Sequence, residues 1–346
     1  MPPSSSAIRK TVEAYLGRHP GERDSLTGLL DALHGHADVT ARTTLPGHVT
    51  CSGIVMDRRG RVLHVRHRAT GLILTPGGHV EPGDRTLLAA ALREVSEETG
   101  ILADALCLTP QTFGSPIDID VHGIDAHPGK GEPAHRHYDF RYAFYLAGET
   151  PPTIELQDAE VSKAQWLATS DTTSPTLRAK LLQARLDGHP EPVNASALIH
   201  DGNGRYLLHL RDHKPGVIWQ SGAFALLGGG RTHDDRSLRD TLLRELSEEV
   251  PDLCPEDLTP YVVEEATSVD GLSVPVQVFT GRWQGNPDRL RLYEGVLLHW
   301  FTPDELDRLR MSPATRDVIR RHAAASTSGR APAIAPSQEH GEAGAY

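Results

Sequence analysis

Long hydrophobic runs are missing from this chain of 346 residues. No apolar stretch approaches the roughly 18 residues that a membrane span needs, so no membrane partner is expected. The opening residues, MPPSSSAIRK, have no apolar core of the kind a secretory signal carries. Cysteine is scarce. Cys51, Cys107 and Cys254 contain no CxxC pair and, being three, cannot all pair with one another. That excludes a disulfide scaffold and predicts reduced, structural thiols in a cytoplasmic protein. Positive charge is also short, because 35 Lys and Arg against 46 Asp and Glu leave a formal net charge of −11. A protein that grips a nucleic-acid polymer needs basic stripes, so that class is set aside. An acidic protein that handles phosphates usually does so through a metal, which directs attention to carboxylate clusters.

What is present is ordinary globular material, 38% hydrophobic and 23% charged, and enough of it for two cores. Self-comparison finds one unit twice. Val49 to Asp57 followed by Gly60 to Arg66 has its echo in Val193 to Asp201 followed by Gly204 to Arg211. Each reads as two strands of alternating apolar residues joined by a glycine turn. A glycine cluster follows in each (Gly77-Gly78; Gly228-Gly229-Gly230), then a strongly helical segment, Leu87 to Thr99 and Leu238 to Val250. Both segments carry Arg-Glu-x-Ser-Glu-Glu, and each unit later has a Glu six residues before a Trp: Glu160 and Trp166, Glu294 and Trp300.

On the first helix, Glu94, Glu97 and Glu98 fall within roughly 100° of the circumference. Leu88, Leu92, Val95 and Thr99 form a neighbouring stripe suited to packing on a sheet. Three carboxylates on one face repel each other unless something positive sits between them. Mg²⁺ is the natural neutraliser, with Mn²⁺ an alternative, because it prefers hard oxygen ligands and keeps waters that can be activated. The second helix repeats the set as Glu245, Glu248 and Glu249.

The stretch Gly78-His-Val-Glu-Pro-Gly-Asp84 … Arg93-Glu94-Val-Ser-Glu97-Glu98-Thr-Gly100-Ile101 resembles the Nudix box, GX5EX7REUXEEXGU, with U a bulky aliphatic. The resemblance covers about residues 47–170 and 193–323. It implies two Nudix-fold α/β/α sandwich domains, each a mixed sheet between helices. It also implies metal binding at Glu94, Glu97, Glu98 and Glu160, and at Glu245, Glu248, Glu249 and Glu294. Glu97 or Glu160, and Glu248 or Glu294 in the second copy, are the implied catalytic bases. The box arginine, here Arg93, would orient carboxylates and not touch substrate. In both copies the early box Glu is Asp (Asp84, Asp235), with eight residues before the arginine instead of seven. The shared insertion supports duplication within one subfamily and falls near the candidate caps Thr86 and Ser237. The second copy departs further, with Pro251 where the box has its helix-ending glycine.

Between helix and Glu160, the first copy alternates Asp118, Asp120 and His122 with apolar residues. After the loop Gly123–Pro133, His135, His137, Asp139 and Arg141 alternate in the same way. One face of a hairpin would therefore carry three Asp, three His and one Arg. His122, His135, His137, Asp139 and Arg141 are read as a substrate-recognition surface for phosphate or ribose. A second metal site is the alternative, since His-x-His with Asp is ligand-like, and a solvent-facing strand pair is the plain one. The second copy shows no such pattern and is read as lacking the hairpin.

The expected organisation is an N-terminal helical extension over 1–46, domains at 47–170 and 193–323, a linker at 171–192 with a helix near Leu177–Leu186, and a disordered tail from 324 to 346. The expected function is Mg²⁺-dependent cleavage of a pyrophosphate bond in a nucleoside diphosphate linked to another group, mainly in the first domain. The alternatives are one catalytic domain beside one nucleotide-binding domain, or a binding protein without turnover. Diphosphate isomerisation on the same fold would need an active-site Cys, for which Cys51 is the candidate.

Overall fold

The computed structural model describes residues 1–35, 38–68, 70–127, 129, 131–157, 159–214 and 220–327. Most of the expected tail, from residue 328 on, lies outside them. The chain divides into two units, Met1–Glu191 with Asp270–Ser273, and Pro192–Val269 with the residues from Val274 onward.

The first unit opens with helices α1 (Ser5–Arg18) and α2 (Thr27–His34) and continues through strands β1 (Gly47–Met56), β2 (Arg61–His67), β3 (Ile73–Leu74) and β4 (Gly77–His79). Helix α3 (Leu87–Thr99), strands β5 (Leu106–Leu108), β6 (Asp118–Ile124), β7 (His135–Leu146) and β8 (Val161–Ala168), and helix α4 (Pro175–Ala184) complete it. Strand β1 is central: it runs parallel to β7 and antiparallel to β2 and β4. β6 flanks β7 antiparallel, and β8 flanks β2.

Alternation along β1 gives the sheet two working faces. Val49, Cys51 and Val55 face α3, in one core cluster with its Ala91, Leu92 and Val95. Gly53 lies between them because a Cβ there would stand 2.2 Å from Val95 Cγ2. Ile54 and Met56 face the other way, against Leu177 and Leu181 of α4. The segment expected as a linker thus holds a helix that closes the first unit. The apolar stripes of the N-terminal extension (Ile8, Val12, Leu16; Leu26, Leu29, Leu33) are buried in the same cluster as α3, so the extension is part of this core.

The second unit repeats the plan with β9 (Asn194–His200), β10 (Tyr206–Leu210), β11 (Phe224–Ala225), β12 (Leu227–Gly230), helix α5 (Leu238–Glu249), β13 (Glu256–Thr267), β14 (Ser273–Arg282), β15 (Leu297–Phe301) and helix α6 (Pro313–Thr327). β9 runs parallel to β14 and antiparallel to β10 and β12. Leu242 and Leu246 of α5 pack with Ala195, Ala197 and Ile199, while Val318 and Ile319 of α6 pack with Leu198, Leu208 and Val278. Both units are mixed sheets between helices. β13 pairs with β14, which corrects the expectation that the second copy lacks the hairpin. Strand pairing is a backbone matter, and here its inner residues are Val274, Val276 and Val278 in place of polar ones. α6 includes Ala324 to Ser326, residues expected in the tail.

The sequence echo has a local cause. Asp57 Oδ1 accepts from the backbone N–H groups of Arg59 and Arg61, both at 2.9 Å, and Asp201 Oδ1 accepts from those of Asn203 and Arg205 at 2.7 and 3.0 Å. Gly60 and Gly204 take the positive φ that each turn requires, +69° and +92°. No helix among the described residues is long and apolar enough to cross a membrane.

Candidate active sites

Helix α3 begins where Thr86 accepts a hydrogen bond from Ala89 N–H at 2.9 Å, and α5 where Ser237 accepts from Asp240 N–H at 3.1 Å. Both caps are those expected, and they fix the phase of the carboxylates that follow. α3 ends on Gly100 at φ +72°; α5 ends one position earlier in register, on Val250 at φ −145° and ψ 72°.

Arg93 is the hub of the first cluster. Its Nη1 donates to Glu94 Oε1 at 2.9 Å and Glu97 Oε2 at 2.8 Å, its Nη2 to His79 O at 2.7 Å, and its Nε to Asp84 Oδ1 at 3.2 Å. Asp84 Oδ2 also accepts from Glu81 N–H at 2.7 Å. The shorter acid and longer spacing therefore still clamp loop to helix. Arg244 does the same in the second unit, reaching Glu245, Glu248, Gly230 O and Asp235 at 2.8, 3.2, 2.7 and 3.1 Å. In both units the arginine holds carboxylates.

Glu94 and Glu98 are buried while Glu97 is exposed. Glu98 Oε2 accepts from Gly77 N–H at 3.2 Å. Its Oε1 is buried with no hydrogen-bond partner, and His67 Nε2 stands 3.5 Å away. His67 was missed in the sequence because it lies at the far end of β2, with no motif around it. Burial pushes Glu94 up to about 7, against the pull of Arg93, and Glu98 up to about 8, against the Gly77 hydrogen bond. Glu160 adds negative charge to both, so the downstream Glu belongs to the same electrostatic site. Burial likewise raises Glu245, and raises Glu249 to about 8, with Glu294 in the corresponding role. A Cβ on Gly78 would meet Glu94 Oε1 at 2.5 Å, and one on Gly229 would meet Glu245 Oε2 at 2.4 Å. These glycines make room for carboxylates at the sheet edge. Buried acids held in one cluster, one with a bare oxygen, fit a hard divalent cation.

The hairpin face of the first unit separates into two parts. Register puts Asp118 opposite Arg141, Asp120 opposite Asp139 and His122 opposite His137, so the expected shared face is real. Arg141, however, is buried and donates to Asp139, Asp118 and Asp120, each at 3.0 Å. Asp139 also accepts from Ser52 Oγ at 2.9 Å and Thr50 Oγ1 at 3.2 Å. Asp139 and Arg141, expected on the recognition surface, thus have these polar atoms engaged with one another and with neighbours inside the fold. Burial under α4 is invisible in the alternation of β7.

The other part is a cluster of histidines. His135 and His137 meet His48 of β1 and His79 of β4, two residues that the hairpin pattern did not include. Parallel register sets His48 beside His137, and antiparallel register sets His79 opposite Thr50. His122 stacks edge-on against His137 with its Nδ1 2.8 Å from Asp120 Oδ2. The rings of His48, His79, His135 and His137 line a cavity of about 250 Å³. The equivalent face of the second unit holds a cavity of about 300 Å³ walled by Val274, Val276 and Val278. Cys51, the candidate for isomerase chemistry, is fully buried in the core against α3, and burial pushes its thiol well up.

The family model for the NUDIX domain matches residues 46–185 and 190–322. No curated protein matches the chain. Among solved structures, a MutT protein from Methanosarcina mazei Go1 is 24% identical with a TM-score of 0.31, over 38% of this chain and 94% of that one. The NUDIX domain of Shewanella oneidensis NrtR, solved with ADP ribose, is 18% identical with a TM-score of 0.34, over 42% and 96%. An Ap4A hydrolase from C. elegans is 15% identical with a TM-score of 0.26, over 39% and 93%.

Proposed function

The chain belongs to the Nudix family, in two tandem domains, and from that premise we propose that it hydrolyses a pyrophosphate bond in a small nucleotide-like substrate, with Mg²⁺ held by the carboxylates of α3. The observation that carries this reading is the buried Glu98 with an unpartnered Oε1, beside Glu94 and a glycine shaped around it. Glu94, Glu97 and Glu98 would hold the ion, with Glu160 at the rim. When bound, Mg²⁺ supplies charge neutralisation at the phosphates and acidifies water. The chain itself contributes position and proton transfer. Arg93 fixes Glu94 and Glu97 in one orientation, and an exposed carboxylate, Glu97 or Glu160, takes the proton of the attacking water. Oxygen adds to one phosphorus as the bridging P–O bond breaks, giving two phosphate-bearing products.

Main activity is assigned to the first unit and ligand binding to the second. The different faces beside the two carboxylate clusters favour this division: polar rings in one, a valine-walled cavity in the other. The test is product release from a panel of sugar nucleotides, dinucleoside polyphosphates, NTPs and prenyl diphosphates, with and without Mg²⁺. Glu98→Gln should lower kcat on the order of 10²-fold or more. Full turnover by that variant, or in excess EDTA, would remove the assignment.

A further inference from the structure

We propose that His48, His135 and His137 bind a transition-metal ion of the zinc class, at a site separate from the carboxylates of α3.

The ligand atoms of the three residues all lie within 4.8 Å of one another. His135 Nε2 and His137 Nε2 are 3.2 Å apart, and His48 Nε2 is 3.1 Å from His79 Nε2. Zinc–nitrogen bonds of about 2.0–2.1 Å in a tetrahedron set ligand nitrogens about 3.3–3.4 Å apart, so His135 and His137 are already near the spacing of a shared ion, with His48 inside the same 4.8 Å group.

Tautomers point the same way. His135 Nδ1 lies 2.8 Å from Pro133 O, and His48 Nδ1 lies 3.3 Å from Thr44 O. A carbonyl oxygen can only accept, so in both rings Nδ1 carries the hydrogen and the neutral ring's Nε2 presents a lone pair inward. Ligating histidines are oriented by such outer hydrogen bonds. Further out, Arg42 and Glu132 at the cavity wall pair with each other at 3.0 Å.

The site is distinct from the Nudix cluster because successive residues of β4 point to opposite faces. Gly78 abuts Glu94 on the α3 side, whereas His79 belongs to the histidine face. Imidazole nitrogens suit borderline ions such as Zn²⁺ and select against Mg²⁺, which prefers oxygen. The ion would join β1 to the β6–β7 hairpin, with His79, the glycine-loop residue that receives Arg93 on its carbonyl, beside His48.

The test uses the full chain, stripped with chelator and dialysed against Zn²⁺ in excess Mg²⁺, with bound zinc measured by atomic emission. One zinc per chain is expected. His48→Ala and His135→Ala should each weaken binding about tenfold or more, while Glu98→Gln and Glu249→Gln should retain it. Co²⁺ in place of zinc should give the intense visible absorption of a four-coordinate ion in the unmutated protein, a readout that stands even where a histidine variant fails to fold. Absence of both zinc and that absorption would overturn the proposal. So would zinc that survives His135→Ala and disappears with Glu98→Gln, which would assign the ion to the Nudix carboxylates.

Discussion

A buried carboxylate with a bare oxygen is a liability to the fold until a cation meets it, so if Glu98 holds the proposed ion, metal binding should register in stability as well as in turnover. Its folded-state pKa, about 8, and that of Glu94, about 7, lie above the unfolded value near 4.3. Between those limits the native state holds more protons than the unfolded chain, so stability is present at low pH and falls as pH rises through 7 and 8. His79 and His137, whose burial lowers them to about 4 and about 3, act with the opposite slope but only below about pH 6.5. From pH 6.5 to 8.5 the acids decide. Metal-free protein should lose several degrees of Tm across that window, at roughly 2–4 °C per kcal/mol for a domain of this size. Mg²⁺ should restore them at pH 8.5, and Glu98→Gln should make the slope shallower, with Glu94 and Glu249 supplying the rest; a Tm that rises with pH in EDTA would contradict it. Gly78→Ala offers a second handle, since its Cβ would collide with Glu94. Mg²⁺ affinity should fall about tenfold or more with the circular dichroism spectrum unchanged. These residues were legible in the sequence because helical phase is local: i, i+3 and i+4 meet whatever the rest of the chain does. His48 and His79 were not, because strand register alone brings them to His137.

At the scale of elements, α4 shows how an apolar pattern can name a helix without naming its partner. Leu177 and Leu181 were visible as a short helix in a connector, yet they seal the face of Ile54 and Met56. A chain ending at Glu191 should therefore fold as a soluble unit. One ending at Thr173 should melt roughly 10 °C lower or aggregate, since burying two leucines is worth roughly 3–6 kcal/mol. Equal melting points for the two chains would show that α4 is dispensable. The second hairpin was illegible for a related reason. β13 and β14 pair as β6 and β7 do, but Val274, Val276 and Val278 carry no polar alternation to draw attention to the pairing.

For the whole molecule, duplication has kept the arginine–carboxylate cluster and changed the wall beside it. Arg244 grips Glu245 and Glu248 as Arg93 grips Glu94 and Glu97. The ligand set by itself thus does not distinguish the units; the assignment of turnover to the first rests on the neighbouring cavity. If it holds, Glu94→Gln should remove most of kcat/KM and Glu245→Gln should leave most of it. Equal losses would mean two working sites, and a larger loss from Glu245→Gln would reverse the order. Limited proteolysis supplies an independent view: cleavage between Arg185 and Val193 should release two stable pieces of comparable size, and cutting that unfolds both would count against the division.

The contact of Lys180 with Glu22, at 2.6 Å, and with Asp118, at 3.3 Å, joins the beginning of the first unit to its last helix. Synthesis is vectorial, so this corner stays unlatched until α4 has been made, and the next strand, β9, starts soon after α4 ends. The nascent chain therefore reaches its final latch just as a second, similar set of strands begins to emerge. Two near-copies in one polypeptide invite strands to pair with the wrong sheet, and completing the first before the second exists removes that choice in time instead of in sequence.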